Sequence, residues 1–340
     1  MNRNELARIA HAMVANGRGL LAADESTGTI KKRFDKIKVE NTEENRRAYR
    51  ELLFLTPGMA DYISGVIMYD ETLRQSTKSG ERFADLLTRL NVVPGIKVDA
   101  GTKPMPNFPN EVITEGLDGL AGRLAEYHKL GARFAKWRAV IDIADGIPSR
   151  TCIETNAELL ARYAALCQEA EIVPIVEPEV LMDGAHSIER CEQVTDEVLA
   201  TVFDRLFAHR VYLEGIVLKP NMVISGQKAT NRASASDVAA ATLRCLKRHV
   251  PPAVPGIAFL SGGQSEAEST LHLDLMNRSG PLPWLLSFSY GRALQQSALS
   301  AWGGATANVA AGQREFLKRA RLNSLAAKGK YESGLEKQAA

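Results

Sequence analysis

The sequence of 340 residues predicts an α/β fold, a closed barrel of eight parallel strands that alternate with helices. Two observations predict it. Short runs rich in Val, Ile and Leu recur along the chain, and segments with helical periodicity separate them. No Pro-, Gly- or Ser-rich linker divides the chain. We therefore expect residues 1–340 to form a single (βα)8 domain of the TIM-barrel type, with a short polar tail from about residue 325.

The eight predicted strands do not alternate strictly between apolar and polar residues, which is typical of parallel strands covered on both sides. In chain order they are Gly19 to Ala23, Ile63 to Tyr69, Gly95 to Val98, Phe134 to Ile143, Ile172 to Val176, Gly215 to Leu218, Gly256 to Leu260 and Trp284 to Phe288.

Helical periodicity marks the segments around these strands. Apolar residues between Leu6 and Met13 recur at i, i+3, i+4 and i+7, and a similar stripe runs from Leu117 to Tyr127. Asn41, with a glutamate three residues later, is the expected N-cap of another helix.

Composition excludes several classes of partner. The chain is 45% hydrophobic and 24% charged with a formal charge of +2, so no nucleic-acid or membrane partner is expected. Its longest uncharged stretch, Gln296 to Gln313, is too polar for a bilayer span. The widely spaced cysteines predict a reducing compartment, and hence a cytoplasmic protein. They are Cys152, Cys167, Cys191 and Cys245.

Active sites of such barrels gather at the carboxyl ends of the strands, so polar residues that close the predicted strands are candidates for a site. They are Asp24, Asp70, Glu71, Lys97, Lys136, Arg138, Glu177, Glu179, Lys219, Ser261, Gly262, Gly263, Ser289, Gly291 and Arg292. The alternative is ordinary surface polarity at strand ends, which is our interpretation for Asp70 and Glu71.

Lys219 ends an apolar strand, where desolvation lowers a lysine pKa towards the range in which the neutral amine attacks a carbonyl. At an ordinary pKa only ~1 lysine in 2,500 is neutral at pH 7. A second ammonium ~4 Å away disfavours the charged form by ~4 kcal/mol, and Lys136 is the expected neighbour. The alternative is a strand-end lysine that extends into water.

Carbon–carbon cleavage beside a ketone needs either an imine or a metal as electron sink, and the histidine spacing favours the imine. No two of the six histidines lie closer than 23 positions. Glu177 and Asp24 are the expected proton carriers, or alternatively ion-pair partners of the lysines. Glycine-containing turns after the seventh and eighth strands, together with Arg292, predict a phosphate site.

The chain resembles the class I fructose-1,6-bisphosphate aldolases across nearly its whole length. The matching segments are LLAADESTGTIKKRF from Leu20, NTEENRRAYRELLF from Asn41, PGIKVDAG from Pro94, EGLDGL from Glu115, FAKWRAV from Phe134, VEPEVLMDG from Val176, LKPNMV from Leu218, LSGGQSE from Leu260 and FSYGRALQ from Phe288. The resemblance implies reversible cleavage of the phosphorylated sugar fructose 1,6-bisphosphate to dihydroxyacetone phosphate and glyceraldehyde 3-phosphate, as in glycolysis and gluconeogenesis. It also implies that the reaction needs no metal or other cofactor and that the protein is a homotetramer.

The resemblance also implies residue roles. Lys219 matches the Schiff-base lysine, Glu177 the acid and base of imine formation, Asp24 the carboxylate at the C4 hydroxyl, and Lys136 the cation beside the imine. Further residues match site positions. They are Ser26, Thr29, Arg33, Lys97 and Arg138 at one phosphate end; Ser261, Gly262, Gly291 and Arg292 at the other; and Glu179 and Ser289, with Gly263 beside them.

The sequence departs from the family pattern at two points, and two alternative functions remain open. Thr29 stands where many relatives have serine, and the chain lacks the terminal tyrosine of animal members, since Tyr331 matches an internal one. One alternative function is another imine-forming sugar-phosphate aldolase or a transaldolase. The other is a binding or scaffold protein on an aldolase fold.

Overall fold

A computed structural model describes residues 1–337 and contains a closed barrel of eight parallel strands, which confirms the predicted fold class. Two further short strands pair outside the barrel, so ten are numbered. They are β1 Gly19–Ala23, β2 Ile63–Met68, β3 Val93–Lys97, β4 Thr102–Pro104, β5 Val112–Thr114, β6 Phe134–Ile141, β7 Val173–Val180, β8 Val217–Leu218, β9 Gly256–Phe259 and β10 Leu285–Tyr290.

Each barrel strand pairs with the next barrel strand along the chain, and β10 closes the barrel on β1. The helices are α1 Arg3–Val14, α2 Thr27–Lys36, α3 Glu43–Phe54, α4 Asp70–Arg74, α5 Phe83–Arg89, α6 Leu120–Lys129, α7 Arg150–Glu169, α8 Ile188–Ala208, α9 Ala235–His249, α10 Glu266–Arg278, α11 Arg292–Trp302 and α12 Val309–Ala326. Short 3-10 turns lie at Ala15–Gly17, Met59–Asp61, Leu213–Gly215, Thr306–Asn308 and Ser333–Lys337.

Helix α1 closes the amino-terminal end of the barrel. Its buried apolar face packs against side chains from inside the barrel, including Phe134, Val173 and Val217, and forms one apolar cluster with them. The Ser64 hydroxyl of β2 donates to the Met13 carbonyl and holds the end of α1 in place. This end is therefore filled with apolar side chains, and the carboxyl end is left for chemistry.

Along β6 and β7 the inward-facing residues change from apolar to charged. Alternate side chains of a strand face the same side, so Lys136 and Arg138 follow Phe134 into the interior. In β7, Glu177 follows Ile175 in the same way. Because every second side chain faces inward, the same strands supply the apolar layers near the amino-terminal end of the barrel and the charged layer near its carboxyl end.

Three local predictions differ from the structure. Strand β7 continues to Val180, beyond the predicted end at Val176, because its last residues pair in register with β6. Thr42 and not Asn41 caps α3, since its hydroxyl accepts from the Asn45 amide at 3.1 Å. The hairpin of β4 and β5 was not predicted, because its exposed three-residue strands carry no apolar run.

The end of the described chain packs on α10 and α12. Helix α12 ends at Ala326, and the buried Tyr331 donates its backbone N–H to Asp274 and its hydroxyl to Glu336. Glu336 also accepts two hydrogen bonds from Arg319. Within residues 1–337, no helix combines the length and apolar content that crossing a bilayer requires.

We expect Gly95→Ala to destabilise the barrel, because a Cβ at this position would lie 2.2 Å from the Phe134 ring, which fills the interior beside it. Overpacking of this kind costs about 1–3 kcal/mol. Chemical denaturation followed by circular dichroism measures the loss. Gly122→Ala is the matched control, since Gly122 is exposed in α6 with open space around it. Equal stability of the two variants would contradict this packing.

Candidate active site

Four charged side chains meet inside the carboxyl end of the barrel. The Lys136 ammonium lies 2.7 Å from an Asp24 oxygen and 3.4 Å from Oε2 of Glu177. Oε1 of Glu177 lies 3.0 Å from Nζ of Lys219. Glu177 therefore stands between the two lysines, and both lysine side chains are only 5% exposed. Neither lysine extends into water.

The electrostatics of this cluster favour charged Asp24 and Lys136. Burial alone would raise the pKa of the Asp24 carboxyl, but Lys136 and Lys219 outweigh burial and hold that pKa well below its ordinary value. Burial would likewise lower the pKa of Lys136, but Asp24 and Glu177 raise it well above its ordinary value. Lys136 is thus a permanent cation at neutral pH. From the sequence we expected this cation beside Lys219, and Glu177 as a proton carrier or ion-pair partner of the lysines; the structure places Glu177 between the two.

The cluster lies at the bottom of a cavity of about 470 Å³ at the carboxyl ends of the strands. Of the residues predicted from sequence, all but Gly263 line it. They are Asp24, Ser26, Thr29, Arg33, Lys97, Lys136, Arg138, Glu177, Glu179, Lys219, Ser261, Gly262, Ser289, Gly291 and Arg292. Gly263 lies behind the wall with a φ of 71°, and a Cβ there would meet Met182 at 2.1 Å. It serves the turn and not the lining.

One side of the cavity is built by the start of α2. Ser26 caps this helix, with its hydroxyl 3.1 Å from that of Thr29. Arg33, one turn further, pairs with the buried Glu25 carboxylate. A Cβ on Gly291 would lie 3.7 Å from Nη2 of Arg33, so Arg33 lies next to the glycine turn after β10. Arg33 was predicted for one phosphate and Gly291 for the other, so the two predicted groups of phosphate-binding residues are adjacent at Arg33.

The glycine turns after β9 and β10 form another part of the wall. Gly291 precedes α11, whose first residue is the exposed Arg292. The buried Ser289 hydroxyl has no hydrogen-bond partner among residues 1–337. Free backbone N–H groups at a helix start, a hydroxyl and a guanidinium are the donors that a phosphate requires.

The opposite wall carries a second set of cations held by acidic partners. Arg138 pairs with Glu179, and Lys97 donates to the Asp99 carboxylate and, at 2.8 Å, to the Asp99 carbonyl. Burial alone would lower the pKa of Arg138, but Glu179 raises it well above its ordinary value.

Asp99 and Glu25 line the cavity but were not predicted as site residues. A signal existed for both, since Asp99 directly follows the third predicted strand and Glu25 directly follows Asp24. Asp70 and Glu71, which we assigned to the surface, do not line the cavity and instead pair with Arg74 and Arg46.

One group outside the cavity has the donor atoms of a metal site. Glu192, Asp196 and Cys245 lie within 4.8 Å of one another. Arg244 and Arg248 pair with its two carboxylates, so the group already has its cations. This arrangement is an ion-pair network between α8 and α9.

Comparison with known proteins agrees with the geometry. The family model of fructose-bisphosphate aldolase class-I matches residues 5–340. The probable fructose-bisphosphate aldolase class 1 of Xanthomonas axonopodis pv. citri is 56% identical over 98% of this chain and 100% of that protein. The non-muscle fructose-bisphosphate aldolase of Lethenteron camtschaticum is 55% identical over 97% of this chain and 91% of its own length.

A solved structure extends the match to three dimensions. Fructose-bisphosphate aldolase from Plasmodium falciparum, crystallised with TRAP and a small-molecule inhibitor, superposes with a TM-score of 0.96 at 53% identity, covering 98% of this chain and 96% of that one. Fold and site define a barrel enzyme of the lyase class. The chain belongs to the class I fructose-bisphosphate aldolase family, as its sequence resemblance predicted.

We expect Lys136→Met to lose about 3–5 kcal/mol of stability near pH 8, because it leaves the buried Asp24 and Glu177 without their shared cation. Without this cation the buried Asp24 carboxylate binds a proton more tightly in the folded state than in the unfolded state, whereas Glu177 keeps its pairing with Lys219. The variant should therefore gain stability relative to wild type between about pH 8 and pH 5. Urea unfolding across this range measures the difference.

The double variant Lys136→Met/Asp24→Asn serves as the control for this prediction. It removes the Asp24 charge that has lost its cation, while Glu177 still pairs with Lys219, and should recover part of the lost stability. A constant difference between Lys136→Met and wild type at every pH would show that Lys136 does not neutralise these carboxylates.

Proposed function

We propose that the protein cleaves fructose 1,6-bisphosphate reversibly to dihydroxyacetone phosphate and glyceraldehyde 3-phosphate through an imine on Lys219. The observation that carries the proposal is a buried lysine, 3.0 Å from a carboxylate, at the bottom of a cavity whose walls carry arginines and a further lysine. An amine needs a proton carrier within hydrogen-bond reach to form an imine, and Glu177 is at that distance.

The proposed reaction begins with attack of the neutral Lys219 amine on the C2 ketone, which gives a carbinolamine. Glu177 transfers protons between nitrogen and oxygen, so water leaves and a protonated imine forms. Asp24 accepts the C4 hydroxyl proton as the C3–C4 bond breaks, so glyceraldehyde 3-phosphate leaves as the aldehyde and the bond electrons flow into the imine to give an enamine. The enamine then takes a proton at C3, and water hydrolyses the imine, which releases dihydroxyacetone phosphate and returns the Lys219 amine. Asp24 and Glu177 keep Lys136 cationic, so its ammonium stabilises the negative charge that develops on oxygen during these steps.

We propose that the two phosphates bind at the two cationic regions of the cavity. Ser261, Gly262, Ser289, Gly291 and Arg292 are proposed for the dihydroxyacetone phosphate end. For the other end we propose Ser26, Thr29, Lys97 and Arg138, with Arg33 beside Gly291 between the two ends. Glu179 orients the Arg138 guanidinium, and Gly263 shapes the turn that carries Gly262.

The reaction needs no metal or other cofactor in this proposal, because the imine is the electron sink. A transaldolase or another imine-forming aldolase would use the same lysine chemistry. Cations on two walls of one cavity favour a substrate with two phosphates over those alternatives. A pure scaffold function leaves the Lys136, Glu177 and Lys219 cluster without a purpose, since buried charges are costly to hold.

We expect borohydride, added with dihydroxyacetone phosphate, to leave a stable adduct on Lys219, because reduction traps an imine as a secondary amine. Digestion and mass spectrometry identify the modified residue. Lys219→Met should give no adduct and lose cleavage, whereas Lys97→Met should retain the adduct and show a raised KM for fructose 1,6-bisphosphate. A chelator should leave wild-type activity unchanged. Modification of another lysine, or inactivation by the chelator, would refute the proposal.

We also propose a cytoplasmic homotetramer of single-domain subunits. The cytoplasmic assignment is supported by the four cysteines, all buried as free thiols, and the tetramer by the resemblance to the aldolase family. Light scattering of the purified protein should give a mass of about four times the chain's 37.1 kDa. A monomer mass at micromolar concentration would refute the assembly.

A further inference from the structure

The carboxyl end of β1 is held by a buried network that the proposed mechanism does not use. Arg50 of α3 is 2% exposed, and its Nε donates to the Ala23 carbonyl at 2.9 Å. Its Nη2 donates to Oε2 of Glu25 at 2.7 Å. One guanidinium thus binds the residue before Asp24 and the residue after it.

A second buried side chain holds the same segment from another helix. The Gln295 amide of α11 is 1% exposed and donates to the Ala22 carbonyl at 2.7 Å and to Oε1 of Glu25 at 3.0 Å. Side chains of α3 and α11 therefore hold Ala22, Ala23 and Glu25. Asp24, which lies between them, directs its carboxylate to Lys136.

A network that served only to stabilise the fold would not be expected to leave buried polar atoms without hydrogen bonds. Nη1 of Arg50 and Oε1 of Gln295 are buried and have no partner among residues 1–337. Groups buried in this way cost free energy, and an apolar side chain of similar size would avoid the cost. The network also continues into the cavity, because Glu25 pairs with Arg33 in the cavity wall.

We propose that Arg50 and Gln295 are positioning residues: they hold the backbone carbonyls before Asp24 and the Glu25 carboxylate after it, so that the Asp24 carboxylate meets the C4 hydroxyl in the cleavage step. This inference rests on the proposed function. The planar guanidinium reaches a carbonyl and a carboxylate at once, which a lysine ammonium does not do with the same geometry. Small displacements of a reacting group are enough to slow catalysis strongly.

Cleavage of fructose 1,6-bisphosphate and imine formation with dihydroxyacetone phosphate can be measured separately. Comparing the two distinguishes a positioning role from a general loss of active-site structure. Dihydroxyacetone phosphate has no C4 hydroxyl, so its imine formation with Lys219 does not need Asp24 in place. Arg50→Met should lower kcat for fructose 1,6-bisphosphate cleavage about 100-fold. Its rate of borohydride-trapped adduct formation with dihydroxyacetone phosphate should stay within about threefold of wild type. Arg50→Lys should be intermediate, and Gln295→Met should show a smaller loss of kcat with the same pattern.

Arg46→Met is the matched control. Arg46 lies one turn earlier on the same helix and makes a similar set of contacts, to both Glu71 oxygens and to the Asn41 carbonyl, outside the cavity. It should lose thermal stability while keeping kcat within about threefold. Comparable loss of cleavage and adduct formation in Arg50→Met would overturn the positioning role, as would an unchanged kcat.

Two remaining outcomes are also decisive. If Arg50→Met does not fold, Arg50→Lys and Gln295→Met provide the same comparison against Arg46→Met. If wild type gives no adduct on Lys219, the proposed imine is wrong. The ratio of kcat between the Arg50 variants and Arg46→Met then still decides whether the network positions the β1 end for cleavage.

Discussion

The rest of this site depends on the pairing of one buried ammonium, that of Lys136, with two carboxylates. Lys136 faces Asp24 and Glu177 in the interior of the barrel, where an unpaired charge is expensive. Because these carboxylates share its charge, a lysine and two acids are held in water-poor surroundings beside Lys219. The site is thus a charge-balanced cluster, and each member gains its properties from the others.

This cluster requires that the opposite end of the barrel be filled. Helix α1 inserts apolar side chains beneath the lower interior layers, so the polar layer is confined to one end. Helices α3 and α11 then fix the end of β1 from outside through Arg50 and Gln295. The barrel strands supply the interior layers of side chains. The surrounding helices α3 and α11 fix the strand end that carries Asp24.

Much of this arrangement could be predicted from the sequence because the signals are local. Apolar runs located the barrel strands, and the residues at or after their ends gave half of the cavity lining. The family resemblance added Ser26, Thr29 and Arg33. What failed depends on contacts between distant segments. The extension of β7 to Val180 depends on pairing with β6, and the role of Glu25 depends on Arg50 and Gln295. The position of Arg33 next to Gly291 likewise depends on how α2 lies against β10.

The alternation of side chains in β6 carries a consequence for how this sequence tolerates change. Trp137 lies between Lys136 and Arg138 and is fully buried on the outer face of the strand. Its ring centroid is 5.5 Å from that of Tyr163, with the two rings tilted. Deleting one residue upstream in β6 would turn the indole towards the substrate and both cations towards the helices. Insertions and deletions there would disturb the packing and the chemistry in one event.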